Sequence, residues 1–67
     1  MNAVVIQDAR FDTFGRDVYG NPRLNAYPAI VRFGGISWTS DTPRNFGDAA
    51  TANRDAARFV TLLNSTP

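Results

Sequence analysis

Residues 29 to 39 read Ala29-Ile30-Val31-Arg32-Phe33-Gly34-Gly35-Ile36-Ser37-Trp38-Thr39, two β-prone runs joined by a glycine pair. Glycine supplies the positive φ angles of a two-residue hairpin turn at no steric cost. Such a turn leaves no freedom of register: Phe33 must face Ile36, Arg32 must face Ser37, Val31 must face Trp38 and Ile30 must face Thr39. Opposed residues share a face, so this pairing collects Val31, Phe33, Ile36 and Trp38 on one side. A slip of one residue would scatter them. Turn chemistry and facing agree, and an antiparallel sheet follows.

A sheet with one apolar face needs a cover, and the segment from Asp48 to Asn64 supplies it. Asp48 is a cap-competent residue, and no proline follows until the last position. Ala49, Ala52, Ala56, Phe59, Val60 and Leu63 recur at spacings of three and four and form one apolar stripe. Alanine in its first half lets the helix backbone approach the sheet closely. Thr51, Arg54, Asp55, Arg58 and Thr61 take the opposite side, where Asp55 and Arg58 are spaced to pair.

Residues 3 to 11 read as a third strand, with Ala3, Val5, Ala9 and Phe11 on one side and Asp8 and Arg10 on the other. Val4 and Ile6 make its first half apolar on both faces, which suggests an inner strand or one covered by a partner. From residue 12 to residue 28 the two glycines, two prolines and two asparagines predict mostly loop. Residues 16 to 19 are a candidate short strand pairing back on residues 8 to 11. The expected fold is therefore α+β: a small antiparallel sheet of three or four strands with one C-terminal helix packed on one face.

Sixty-seven residues make one domain, 1–67, near the lower limit of independent folding. With no cysteine and no histidine, neither a disulfide nor a Cys/His zinc site can staple it. Packing or self-association must supply stability, so a homodimer is one expected partner state. The apolar start at Ala3-Val4-Val5-Ile6 is too short for a membrane span and lacks the basic flank of a signal peptide. A cytoplasmic location without membrane association is the expectation.

The charges exclude most chemistry. All seven cations are arginine and all six anions aspartate, so histidine, cysteine, lysine and glutamate are missing as tunable acids, bases or nucleophiles. Ser37, Ser40 and Ser65 have no base beside them in this inventory. Asp8, Asp12 and Asp17 are more simply strand-end and loop residues than an acid pair. The run Asp12-Thr13-Phe14-Gly15-Arg16-Asp17 does not match a calcium loop, and Gly34-Gly35 is followed by neither lysine nor helix, so it is no phosphate loop. No enzyme activity, catalytic residue, cofactor or metal is expected.

Binding remains. Arg10, Arg16 and Arg23 lie among Phe11, Phe14, Tyr19 and Tyr27, and Arg32 projects from the uncovered face of the hairpin. Arginine and tyrosine are preferred interface anchors, so Arg10, Arg16, Tyr19, Arg23, Tyr27 and Arg32 are the candidate partner-binding residues. The same residues could grip phosphates and stack on bases, but Asp8, Asp12 and Asp17 cancel much of that field and the net charge is only +1. The favoured reading is a protein-binding module, of the kind phages and mobile elements use to dock on and inhibit a larger host complex. A small DNA-binding protein and a structural homo-oligomer subunit are the alternatives. Over residues 28 to 63, the order of strands followed by a helix with Phe46, Ala52, Ala56 and Ala57 resembles the arm-type DNA-binding domains at the N-termini of phage integrases. The lysine-rich sheet of those domains has no counterpart here.

Overall fold

The computed structural model describes residues 2–65. Five strands precede one helix: β1 (Ala3–Gln7), β2 (Arg10–Arg16), β3 (Pro22–Tyr27), β4 (Ile30–Phe33), β5 (Ile36–Thr39) and α1 (Phe46–Asn64). The strands form two antiparallel sheets, one of three strands in the order β1-β4-β5 and one of two, β2-β3. The α+β class and the C-terminal helix on the sheet are as the sequence predicts.

The β4–β5 hairpin has the expected register throughout, from Phe33 opposite Ile36 to Ile30 opposite Thr39. Gly34 carries a φ of +63°, whereas Gly35 is not in the positive region, the sign pattern of a type II′ turn. Val31 is 1% exposed, and Phe33 and Trp38 pack around it. Ile36 departs from expectation: it is 71% exposed, because the helix layer does not reach over the turn end of the hairpin.

The helix begins earlier than predicted. Asn45, not Asp48, is the N-cap: its side-chain oxygen accepts the Asp48 N–H at 2.8 Å, and Asp48 accepts the Arg44 N–H at 3.0 Å. A second cap-competent residue three positions on thus completes the cap, much as in a capping box. The apolar stripe is as expected, with Ala49 and Ala56 buried and Ala52, Phe59, Val60 and Leu63 packed around the core. Trp38 and Phe59 meet edge to face at 5.7 Å. Asp55 and Arg58 do not pair; the ion pair among the described residues is Arg10 with Asp12.

The remaining correction concerns residues 3 to 28. The expected single strand breaks at Asp8 and Ala9, and its first half is an edge strand rather than an inner one. The segment expected as loop is instead the β2–β3 hairpin, with Arg10 opposite Tyr27 and Phe14 opposite Arg23. Residues 16 to 19 hold the end of β2 and the start of its turn, and do not pair with residues 8 to 11.

Six buried residues make the core, namely Ala3, Ala9, Ala29, Ala49, Ala56 and Val31. Alanines bury little area, so the sheet and helix depend on a second device. Asn64 accepts the Ala3 N–H at 2.6 Å and donates to the Ala3 carbonyl at 3.0 Å. Asn53 does the same at Ala9, at 2.7 and 2.9 Å. Each amide satisfies both main-chain groups of one residue, as a neighbouring strand would. The two asparagines are 11 positions apart, about 16 Å of helix rise, and hold the chain at the start of β1 and again at Ala9, two residues past its end.

These contacts predict unequal costs. Val31→Ala should lower stability by about 2 kcal/mol through lost burial and a cavity, while Ile36→Ser should change it by less than about 0.5 kcal/mol. Asn53→Ala leaves both Ala9 main-chain groups unpaired and should cost about 1 to 3 kcal/mol. Urea unfolding measures all three, and faster amide exchange at Ala9 identifies the third with the clamp.

Candidate functional site

The chain is longer than a domain of its size should be. A compact 67-residue domain has a radius of gyration of about 11 Å, whereas this one has 14.6 Å and principal extents of 54 × 22 × 12 Å. The 19-residue helix is about 28 Å long. The β2–β3 hairpin pairs with no strand of the three-stranded sheet and is exposed over most of its length, an arm outside the packed core.

The roots of the arm are fixed by side chains. At its start Ala9 is held by Asn53, as described, and Phe11 packs edge to face on Phe46 at 5.2 Å. At its end the Gln7 side chain donates to the Pro28 carbonyl at 2.7 Å, and the Ala29 N–H donates to the Ser40 hydroxyl at 2.9 Å. Beyond the roots burial stops. From Asp12 to Asn25 every residue except Asp17 is exposed.

The tip is ordered by one carboxylate. Asp17 accepts the N–H groups of Tyr19 and Asn21 at 2.9 and 3.0 Å, while its own carbonyl accepts the Gly20 N–H at 3.0 Å. Arg16 donates to the Gly20 carbonyl at 2.8 Å from the other side of the loop. A bulge precedes the turn: Phe14 pairs with Arg23 but Arg16 with Pro22, and the extra Gly15 sits at φ +58°, a conformation that favours glycine. The outcome is a turn that holds Val18 at 90% and Tyr19 at 85% exposure.

Pairing sorts the predicted binding residues. Arg10, Tyr27 and Arg23 share one face of the arm with Asp12, Phe14 and Asn25, because each pair stands opposite in register. There the Arg10 guanidinium lies 4.8 Å from the Tyr27 ring centre and bonds Asp12 at 3.2 Å. Arg16 lies past the bulge and Tyr19 at the tip. Arg32 is separate, exposed on the uncovered face of the other sheet opposite Val4, so it and Arg10 stand on different sheets. Val18 and Leu24, both exposed, were missed by sequence reasoning, and Phe14, also exposed, was named in the aromatic cluster but not among the candidate binding residues. Their signal was apolar residues within a turn-rich stretch, which reads as loop anchors.

The arm offers aromatic and aliphatic contact area, with two of its three arginines already engaged by Asp12, Tyr27 and the tip carbonyl. Among the described residues no group of three or more carboxylates could hold a metal ion, and no helix is long and apolar enough to cross a membrane.

Asp17→Ala tests the ordering of the tip. Exchange at the Tyr19 and Asn21 amides should accelerate at least about ten-fold, while global stability falls by no more than about 1 kcal/mol because water can replace these exposed bonds. Comparison with known proteins finds no match, whether to a family model, to a curated protein or to a solved structure.

Proposed function

We propose that this protein is a non-catalytic protein-binding module whose β2–β3 arm docks on a larger protein partner. The observation that carries the reading is the tip, where Val18 and Tyr19 are 90% and 85% exposed on a turn held by Asp17. A large aromatic ring and a branched aliphatic side chain in water are unfavourable for a free molecule and suit the centre of an interface. Because the turn is already ordered, docking loses little conformational entropy. Arg23, Tyr27 and Phe14 along one face extend the contact toward the root.

A chain of this size without tunable catalytic groups acts by occupying a surface. Inhibition of a larger host complex by a phage or mobile-element accessory protein is the finer form of this proposal. A protein partner is preferred to nucleic acid because Asp12 and Asp17 stand among the arm's arginines and two of the guanidinium groups are engaged within the chain. Affinity should accordingly depend only weakly on salt.

A photo-reactive residue at position 19 should cross-link one protein in the host cell, while the same residue at Arg58 on the helix should not. The double variant V18S/Y19S should remain within about 0.5 kcal/mol of parental stability and bind the cross-linked partner at least about 30-fold more weakly, the loss of a hot spot. Unchanged affinity in the folded double variant, or recovery of nucleic acid in place of protein, refutes the assignment.

A further inference from the structure

The two edges of the three-stranded sheet are treated differently. At β1, helix amides occupy the outward main-chain groups of Ala3, and the chain then turns away at Ala9 under the second clamp. β5 has no such cover. Phe33 and Ile36 flank a two-residue turn and so exchange main-chain bonds, as do Val31 and Trp38 two residues on. The alternation reaches Ala29 and Ser40, where the Ser40 N–H donates to the Ala29 carbonyl at 2.9 Å. Ser37 and Thr39 therefore turn their N–H and C=O groups outward, and no strand lies beyond them.

At the Trp38–Thr39 end of this edge opens a cleft of about 580 Å³ between β5, the following loop and the first half of α1, lined by Trp38, Thr39, Asp41, Asp48, Ala52 and Asp55, with Ser37 just beyond it on the strand. Trp38 forms an apolar wall, half-buried against Phe59. Three of the six aspartates of a chain whose net charge is +1 border it, against the single cation Arg44. Asp48 is engaged by the Arg44 N–H, and the side chains of Asp41 and Asp55 accept no hydrogen bond from any described residue.

We propose that this cleft is a peptide-binding site, in which an extended, arginine- or lysine-bearing segment of a protein adds to β5 as a fourth strand. Its main chain bonds Ser37 and Thr39, and its cationic side chains meet Asp41 and Asp55. Main-chain pairing supplies the binding mode and the carboxylates supply the sequence preference. The four residues of β5 set the ligand at four or five extended residues, about 13 to 17 Å. None of the lining residues belongs to the β2–β3 arm, so the site stands apart from the docking surface proposed above.

Trp38 is the only tryptophan of the chain and reports directly on its own cleft. An end-blocked eight-residue peptide alternating arginine and valine should shift its emission saturably, and the glutamate counterpart should not. Binding should weaken at least about ten-fold in D41N/D55N, and in Ser37→Pro, which removes an outward N–H without touching the β4 ladder. Of two peptides N-methylated on alternate sets of residues, one should bind and the other fail. V18S/Y19S should leave this titration unchanged. Equal response to the arginine and glutamate peptides, parental binding by a folded Ser37→Pro, or parental binding by both N-methylated peptides overturns the proposal. Sedimentation showing a dimer that the arginine peptide does not dissociate assigns the edge to a second copy and overturns it as well.

Discussion

Two asparagine side chains hold this molecule's architecture. Asn53 and Asn64 reach from one side of the helix to the main chain of Ala9 and Ala3, and each amide matches both the donor and the acceptor of its target. With a core cluster of five buried alanines and one valine, apolar burial alone orients a helix loosely, since small side chains slide over one another. Directional bonds at the start of β1 and just past its end remove that freedom. They also complete the hydrogen bonding of the segment at which the chain leaves one sheet for the other, where a partly buried main chain otherwise has no ladder.

The arm is built on a different balance. An isolated two-stranded hairpin is marginal in water, and this one receives help only at its roots. Local chemistry supplies the rest: a bulge with glycine in the left-handed region, an aspartate collecting the N–H groups of the tip, and Arg10 lying over Tyr27. An exposed ion pair such as that between Arg10 and Asp12 is worth about 1 kcal/mol or less, so no single contact holds the arm. Its order is the sum of small local preferences rather than of burial.

What was legible in the sequence follows from range. The β4–β5 register could be read because it is decided within six residues by the Gly34-Gly35 turn, and the helix stripe because its period repeats. The break after Gln7 could not, since Ala9 continues a plausible alternation and the group that captures it lies 44 positions away. The arm was invisible for another reason: a strand exposed on both faces shows no alternation of apolar and polar residues. Gly15 and Pro22 then read as loop markers, although they are a bulge residue and the first residue of a strand, both places where such residues are tolerated. The candidate binding residues were chosen by type, but their division among an arm face, a tip and a separate sheet depends on that unseen hairpin.

The separation of arm from core bears on how such a protein can change over generations. Residues 12 to 25 contribute nothing to the buried core, so foldability hardly filters substitutions there, and on the proposed reading recognition is the filter that remains. A lineage under pressure from a diversifying target could replace the tip repeatedly while Asn53, Asn64 and the alanines stay constant. The molecule is in that sense a handle and an exchangeable bit, with innovation confined to a region where error does not unfold the whole.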